Sequence, residues 1–349
     1  MKKRTVLLIS IGTVLLIIGA VIFACALKLS PNGGVITEYD WNGYLDRDDE
    51  WYTSNEAKAI GDDILKYQLN DGGWRKDMAN EELTDGSWAK STLDNDTTTS
   101  QIRVLAKLYE NTGKKKYLKA CLKGIDLLLN GQYTNGGWPQ VFDDAGTYHA
   151  HITYNDGAMV HVLYILKEVS EKSGDFSFVS DEYAEKAAVA VAKGIECILN
   201  TQIVVDGVKT AWCQQHDEFN LKPTNARAFE PAAISASESV GIVNFLKSLP
   251  NKSDEIIESI NSAIRWMDEV KIYGIKVVKT DDDRIVVEDP DAGPIWARFY
   301  QIGTNKPVFG DRDGSVHYDM MNISQERREG YSWYGSWPAK LVESGLMGE

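Results

Sequence analysis

An internal repeat is the feature that most limits how this chain can fold. Ile64 to Trp74 reads ILKYQLNDGGW, and Leu127 to Trp138 reads LLLNGQYTNGGW. In both segments a glutamine stands six residues before a tryptophan, Gly-Gly precedes that tryptophan, and the residues upstream have the period of an amphipathic helix. Cys197 to Trp212 is a looser third copy. Each copy continues through a polar loop into a second helical pattern, so the repeating unit is a helix, a loop and a helix.

Helix pairs of this kind cannot bury their apolar faces alone and must stack on one another. Three to four units fit a small closed ring whose loops gather at one end. We therefore predict a mainly all-α fold, an α/α toroid of stacked helical hairpins. Tyr273 to Trp296 is the exception, because Val and Ile alternate there beside an Asp-Asp-Asp turn and predict a small β-hairpin. The segment Pro294 to Pro338 is expected to form long loops over one face.

The N-terminus has the pattern of a leader. Met1 to Arg4 is basic, and Val6 to Leu27 is a mostly apolar run of about 22 residues, long enough to span a bilayer. An uncleaved anchor, a lipoprotein modified at Cys25 and a cleaved signal peptide all remain open, and each places the rest of the chain outside the cytoplasm. We predict a leader at residues 1–29, a linker at 30–49 and a catalytic domain at 50–349.

The net charge of −14 argues against a nucleic-acid-binding surface. An acidic protein that binds a polyanion needs local Arg and Lys side chains or a divalent cation as a bridge. Candidate cations are Lys222, Arg227, Arg298 and Arg312, since Arg pairs bidentately with carboxylates. Tryptophans beside Gly-rich loops, such as Trp138 and Trp212, can stack on sugar rings, although such side chains are more often part of a core.

The junctions that lead into the second helices are rich in acids and amides. The first contains LDNDTTT with Asp94, and the second contains HITYNDGAM with Asp156. Stacking would bring these helix starts together, and converging carboxylates suit either Ca²⁺ or the acid/base pair of an inverting glycosidase. Ordinary helix capping is the simplest alternative for each residue. Asp96 is either a third ligand or a cap.

Several stretches together resemble the family 10 pectate lyases, in that family's order and over roughly residues 50 to 345. They are GGWPQ, LDNDTTTSQI, TYNDGAM, AWCQQHDEFNLKPTNARAFEP, GPIWARFYQIGTNKPVFGDRDG and GYSWYGSWP. The resemblance implies an α/α toroid and Ca²⁺-assisted β-elimination on α-1,4-polygalacturonate, which releases 4,5-unsaturated oligogalacturonates. This sequence differs from the family at Asp96-Thr97, where the family usually has Gly-Ala. The difference leaves open which residues bind the metal.

The resemblance also implies roles for individual residues. Asp94 and Asp156 match the metal-site acids, Arg227 matches the Brønsted base, and Lys222 and Arg312 match cations that bind uronate carboxylates. Asp96 is a further candidate metal ligand. The predicted substrate-binding residues are Lys222, Arg312, Arg298, Asn95, Asn155, His216, Trp138, Trp212 and Tyr300. An Arg base has a very high pKa, so it would work best at alkaline pH and if nearby cations and burial lowered that pKa.

Two other functions fit the residues less fully. An inverting glycoside hydrolase would use Asp94 and Asp156 as acid and base, and a non-catalytic carbohydrate-binding protein would use the tryptophan loops. The expected partner is polygalacturonate, with a membrane contacted through the N-terminal segment, and we expect a monomer.

Overall fold

The computed structural model describes residues 39–80 and 86–348. The chain divides into two compact units. One unit comprises residues 1–40 and 77–82, of which 39–40 and 77–80 are described, and the other comprises 41–76 and 83–349. Among the described residues no helix is long and apolar enough to cross a membrane, and the predicted leader at 1–29 lies outside them.

The second unit contains the helices and strands of the described chain. The α-helices are α1 (Trp41–Leu45), α2 (Asn55–Tyr67), α3 (Thr99–Thr112), α4 (Lys115–Asn130), α5 (Ala158–Glu171), α6 (Asp181–Thr201), α7 (Ala236–Ser248), α8 (Asp254–Glu269), α9 (Gln325–Gly330) and α10 (Ala339–Glu343). The long helices pack in consecutive antiparallel pairs, α3 with α4, α5 with α6 and α7 with α8, and α3, α5 and α7 also contact one another in series. Their facing sides carry the apolar core.

The repeated tryptophan and glutamine hold neighbouring units together. Each Trp is fully buried and its indole N–H donates to the helix that precedes it. These bonds run from Trp74 to Ile64 O, Trp138 to Leu128 O and Trp212 to Ile198 O. Each Gln amide donates both to its own loop and to the next helix of the series: Gln68 to Gly72 O and Ala120 O, Gln132 to Gly136 O and Ala190 O, Gln202 to Thr210 O and Ser259 O.

The first glycine of each Gly-Gly pair allows a close approach between units. Gly72 has φ +110° and Gly136 has φ +93°. A Cβ on Gly136 would lie 2.0 Å from the carbonyl oxygen of Lys193 on α6, and one on Gly72 would lie 2.2 Å from the carbonyl oxygen of Lys123 on α4. The repeat therefore requires glycine for both backbone conformation and space.

Replacement of Gly136 by alanine is expected to destabilise the protein by about 3 kcal/mol, since strain at positive φ and a backbone clash add together. Gly146 is a matched control, because its φ is +86° and a Cβ there meets nothing within 4 Å. Gly146→Ala should lose only about 1 kcal/mol, the conformational part. Urea unfolding of both variants measures the difference, and equal losses would show that the contact between units is not limiting.

Short strands join the helical units. They are β1 (Ile152–Thr153), β2 (Val204–Val205), β3 (Val208–Lys209), β4 (Gln215–His216), β5 (Ile234–Ser235), β6 (Ile275–Lys279), β7 (Arg284–Glu288), β8 (Trp296–Ala297), β9 (Phe299–Tyr300), β10 (Pro307–Gly310), β11 (Val316–His317) and β12 (Tyr334–Gly335). Strands β11, β10, β9 and β5 form one antiparallel sheet in that order, and β1–β4, β2–β3, β6–β7 and β8–β12 form antiparallel pairs.

The prediction of an all-α toroid is wrong. Helices dominate, but a four-stranded sheet forms part of the core around Phe299 and Phe309, and the contacts between helix pairs do not establish a closed ring. Strands of two to five residues depend on pairing with distant segments, so hydrophobic periodicity does not detect them. The β6–β7 hairpin does form within Tyr273 to Trp296, with Lys279 opposite Arg284 at its turn.

Candidate active site

Two tight turns carry the acids of the first two junctions. Residues Asp94–Asp96 and Asn155–Gly157 each form a 3-10 turn just before α3 and α5, and the two turns contact one another. Asn95, Asp96, Thr98 and Asp156 all have positive φ, between 48° and 71°. Positive φ is a marked outlier for a β-branched residue such as Thr98, and strain of this kind is concentrated at functional sites.

Helix capping does not account for these acids. The residues that immediately precede α3 and α5 are Thr98 and Gly157, and neither makes a side-chain capping bond. Thr98 Oγ1 instead accepts a bond from the backbone N–H of Trp74 at 3.1 Å. By contrast α2, α6 and α8 begin with serines whose side chains do cap: Ser54, Ser180 and Ser253. The Asp-bearing junctions are therefore built differently from ordinary helix starts in the same protein.

Asp94 is almost fully buried and is held by two donors. Lys76 Nζ forms an ion pair with Oδ2 of Asp94, and Gln140 Nε2 donates to Oδ1 of Asp94 at 2.6 Å. The Gln140 backbone is paired on both sides, because its carbonyl accepts from Leu93 N at 2.8 Å and its N–H donates to His149 O at 2.8 Å. Asp94 is thus fixed beside the segment that contains His149. Lys76 and Gln140 were not among the predicted residues.

Asp156 presents an exposed carboxylate, and Asn155 beside it is buried and donates to its Oδ2 atom at 2.7 Å. The pKa of Asp156 is raised from its ordinary value by desolvation and then by repulsion from the Glu238 and Asp94 carboxylates, which Arg298 and Arg227 only partly oppose. Desolvation is the largest cause of this rise, and the negative charge of the neighbouring carboxylates adds to it.

Glu238 is an acidic residue that the third junction adds to the site. It lies in the first turn of α7, where its carboxylate is nearly inaccessible and accepts bonds from Arg298 Nη2 and Ser235 Oγ. The Nε atom of Arg298 is buried without a hydrogen-bond partner in the described part of the chain. Burial alone would lower the pKa of Arg298, but Glu238 and the nearby Tyr331 and Asp156 raise it, so the side chain stays cationic.

Arg227 is bound bidentately by Glu230. Its Nε and Nη2 atoms donate to the two carboxylate oxygens at 2.8 and 2.6 Å, while Gln214 Nε2 and Tyr331 OH each donate to Glu230 at 2.8 Å. The Arg227 side chain is 43% exposed, whereas that of Glu230 is 2% exposed. Burial would lower the pKa of Arg227, but the Glu230 contact outweighs it and raises that pKa. The lowered pKa that would suit an Arg base is therefore not found for Arg227.

Several arginines pack against the aromatic rings of Phe229 and Tyr331. The guanidinium groups of Arg227, Arg312 and Arg327 lie 4.8, 5.3 and 4.4 Å from the ring centre of Phe229. Arg298 lies 4.8 Å from the ring of Tyr331, and Arg227 is 5.8 Å from that ring. Arg227, Arg298 and Arg312, predicted from separate motifs, are therefore collected around these two rings, and together with Arg327 we call them the arginine cluster.

The outer cations and amides are accessible. Arg312 is 61% exposed and pairs with Glu326 through its Nε and Nη2 atoms at 3.1 and 2.8 Å. Lys222 is exposed in the loop that follows β4, with its backbone N–H bonded to Asn220 Oδ1 at 2.9 Å. Asn95 is exposed at the tip of the first turn. These three side chains are positioned so that a ligand can reach them.

Four predicted substrate-binding side chains are buried and have no accessible surface for a sugar. Trp138 and Trp212 are 0% exposed, with the indole bonds described above. His216 is also 0% exposed, donates Nδ1–H to Leu221 O at 2.9 Å and accepts Cys213 N–H at Nε2, and burial lowers its pKa to about 4. Tyr300 OH donates to Val270 O. Direct stacking or binding roles for these four residues are not compatible with the structure.

Two further carboxylate clusters lie nearby. Asp96 Oδ1 is 2.6 Å from Nδ1 of His161 on α5, so its carboxylate already has a cationic partner when that histidine is protonated. His151, Asp217 and Glu218 place ligand-type atoms within 4.8 Å of one another at the end of the β1–β4 ladder. His151 there pairs with Glu218 at 2.7 Å, and Asp217 bonds two N–H groups of its own turn, which fastens the loop before Lys222.

Comparison with known proteins decides the family. The model of the pectic acid lyase family matches residues 46–342. The chain belongs to the pectic acid lyase family. A family 10 polysaccharide lyase from Cellvibrio cellulosa has a similar structure, with a TM-score of 0.75 and 32% sequence identity over 89% of this chain and 97% of that one.

A mutant of the Cellvibrio cellulosa lyase in complex with trigalacturonic acid also matches this pectic acid lyase. The TM-score is 0.74 and the identity 31%, over 88% of this chain and 98% of that one. A comparison with curated protein sequences finds no match. The resemblance to the family 10 pectate lyases is confirmed, and so is the predicted enzyme class, a polysaccharide lyase.

Proposed function

We propose that this pectate lyase binds Ca²⁺ at Asp94 and Asp156 and cleaves α-1,4-polygalacturonate by β-elimination, with Arg227 as the base. The observation that carries the proposal is that Asp94, Asp156 and Glu238 lie close to the arginine cluster. These residues come from distant parts of the sequence. The complex of the Cellvibrio cellulosa enzyme with trigalacturonic acid supports an oligogalacturonate ligand here.

The donor set fits a calcium ion. Asp94 and Asp156 offer carboxylate oxygens, which hard cations prefer, and Asp96 lies in the same turn as Asp94 and is proposed as a further contributor. Glu238 and Asp94 repel the Asp156 carboxylate, and a divalent cation would offset that repulsion. When bound, calcium would draw charge from a substrate carboxylate and so acidify the C5 proton.

The arginine cluster and Lys222 suit a polyanionic substrate. Arg312 and Lys222 are exposed, and Arg298 stays cationic between Glu238 and Tyr331. Guanidinium groups bind carboxylates bidentately, which fixes both the position and the orientation of a uronate ring. Asn95 is exposed and is proposed to contact the substrate, whereas Asn155 is buried and is proposed to act by holding Asp156 in place. A neutral polysaccharide has no carboxylates for these cations to bind, so we favour pectate over a neutral glycan.

Arg227 must be neutral before it removes the C5 proton. Glu230 raises its pKa, so the neutral guanidine is rare near pH 7, and its population increases with pH. Removal of the proton leaves an electron pair that forms the C4–C5 double bond while the C4–O4 bond breaks. The cations around the substrate carboxylate stabilise the charge that develops on it. Turnover is therefore expected to increase steadily towards alkaline pH.

We further propose that the enzyme acts outside the cytoplasm as a monomer. The support is the basic and apolar pattern of residues 1–27, together with a polymeric substrate that is too large to enter a cell.

Product analysis tests the proposed reaction against its alternatives. The purified full-length protein is incubated with polygalacturonate and Ca²⁺ at alkaline pH, and the products are analysed by mass spectrometry. A lyase yields oligogalacturonates with an unsaturated end, each lighter by one water than the corresponding hydrolysis product. Saturated products would indicate a hydrolase, and unchanged polymer with retained affinity would indicate a binding protein.

A further inference from the structure

The phenol of Tyr148 makes no hydrogen bond to the described part of the chain. The side chain is half-buried, and its oxygen has no hydrogen-bond partner among the described residues. Tyr331, the other tyrosine of the site, is different, because its OH is engaged by Glu230 at 2.8 Å and Gln214 at 3.2 Å. Tyr148 is therefore the phenol that is left available for a ligand.

The Tyr148 ring is held in place by a buried network. It packs on the ring of His149 with centroids 4.0 Å apart, and His149 Nδ1 bonds to Asp144 at 2.9 Å. Asp144 is nearly inaccessible and also accepts bonds from Ser87, Thr147 and Lys90. Trp88 makes an edge-to-face contact with His149, with the ring centroids 4.9 Å apart. The ring of Tyr148 therefore lies against a histidine that is itself held by buried bonds.

Backbone pairing places Tyr148 beside the proposed metal site. Gln140 N–H donates to the carbonyl of His149, the residue next to Tyr148, while the Gln140 side chain donates to Asp94. Lys76, which pairs with Asp94, also lies 4.8 Å from the ring of Trp88. The charges of Arg227, Glu230, Asp94 and Asp144 all act on the Tyr148 phenol. Tyr148 thus lies among the groups proposed to bind calcium and to remove the C5 proton.

We propose that Tyr148 is a catalytic residue that protonates the leaving O4 oxygen. The inference rests on the proposed lyase reaction. The C5 proton passes to neutral Arg227, the C5–H electron pair forms the C4–C5 double bond, and the C4–O4 pair leaves with the oxygen. That oxygen takes the phenolic proton of Tyr148. Tyr148 then regains a proton from solvent, and Arg227 releases its extra proton to solvent. The cycle therefore closes without another reactant.

The electrostatics of the site suit this role. Burial raises the pKa of Tyr148, as do Glu230, Asp94 and Asp144, whereas Arg227 opposes the rise. His149, the ring that packs against it, is bonded to Asp144. Burial therefore favours the protonated phenol, which is the form that can donate a proton to a leaving oxygen. A general acid of this kind contributes about 10²–10⁴-fold to turnover.

Tyr148→Phe tests the inference, because it removes only the hydroxyl and keeps the ring on His149. With polygalacturonate we expect kcat to fall about 100-fold, with KM within twofold of the wild type and calcium affinity unchanged. Tyr273→Phe is the control, since Tyr273 is 60% exposed and lies outside the site, and it should match the wild type.

A second substrate separates proton donation from simple placement. A galacturonide with nitrophenolate as the leaving group at C4 needs no proton on that oxygen, so Tyr148→Phe should cleave it at nearly the wild-type rate. An equal loss on both substrates, a change in KM alone, or no loss at all would overturn the inference. If the wild type forms no unsaturated product from polygalacturonate, the proposed function itself fails, and this inference fails with it.

Discussion

Arg227→Ala is expected to lower kcat on polygalacturonate by about 10²–10⁴-fold, the usual contribution of a general base. The substitution removes the guanidinium that Glu230 holds at 2.6 and 2.8 Å. Glu230 keeps its bonds from Gln214 and Tyr331, so the fold should survive. The measurement is the initial rate of ultraviolet-absorbing product, together with trigalacturonate affinity by calorimetry, which should change by only a few fold.

Two further variants sharpen this prediction. Arg265→Ala is the matched control, because Arg265 is exposed on α8 and contacts Glu258 only at 3.4 Å, and it should behave as wild type. Arg227→Lys should keep part of the activity and begin to act at a lower pH, since the lysine pKa of about 10.4 lies below that of arginine. Near-normal turnover by Arg227→Ala would remove this residue from the role of the base.

Asp156→Asn is expected to increase the calcium concentration for half-maximal activity by about tenfold or more. The substitution removes one of two carboxylates proposed to bind the ion, and calcium affinity follows the number of charged ligands. Calorimetric titration with calcium measures the change without substrate. Asp281→Asn, an exposed residue at the turn of the β6–β7 hairpin, is the control and should leave calcium affinity unchanged.

The same variant has an opposite effect on the calcium-free fold. The pKa of Asp156 is raised in the folded protein, so its ionisation destabilises the fold as pH increases through that raised value. Calcium-free Asp156→Asn should therefore unfold at a higher temperature than the calcium-free wild type near neutral pH. The difference should disappear below the ordinary Asp pKa of 3.8. A lower melting temperature for the variant at pH 7 would contradict the account of the acidic mouth.

The repeat made the helical part of the fold predictable. Gln68 and Gln132 stand at the same distance from their tryptophans because each amide bridges its loop to the next unit, and that local constraint leaves a regular trace in the sequence. The strands left no such trace. Pairs such as β5 with β9 join residues far apart in the chain, so their two-residue segments look like loops until the fold is known.

The site was predictable only in part, for a similar reason. Asp94 and Asp156 stand in corresponding turns of two repeats, one residue out of register, and the two turns contact one another. Glu238 and Glu230 were missed, because their importance comes from Arg298 and Arg227, and no periodicity links Glu238 to an arginine 60 residues away. Trp138 and Trp212 were placed wrongly at the substrate. Their motif records an indole bond inside the core rather than a surface for sugars.

The calcium dependence of elimination is the sharpest test of the proposed reaction. Purified full-length protein is mixed with polygalacturonate at alkaline pH, with Ca²⁺ or with excess chelator, and the ultraviolet absorbance of the unsaturated products is followed. We predict a steady rise with Ca²⁺, none with chelator, and recovery when Ca²⁺ is restored. No rise in the presence of Ca²⁺, or an equal rise in the chelator, would contradict the proposed calcium-assisted lyase.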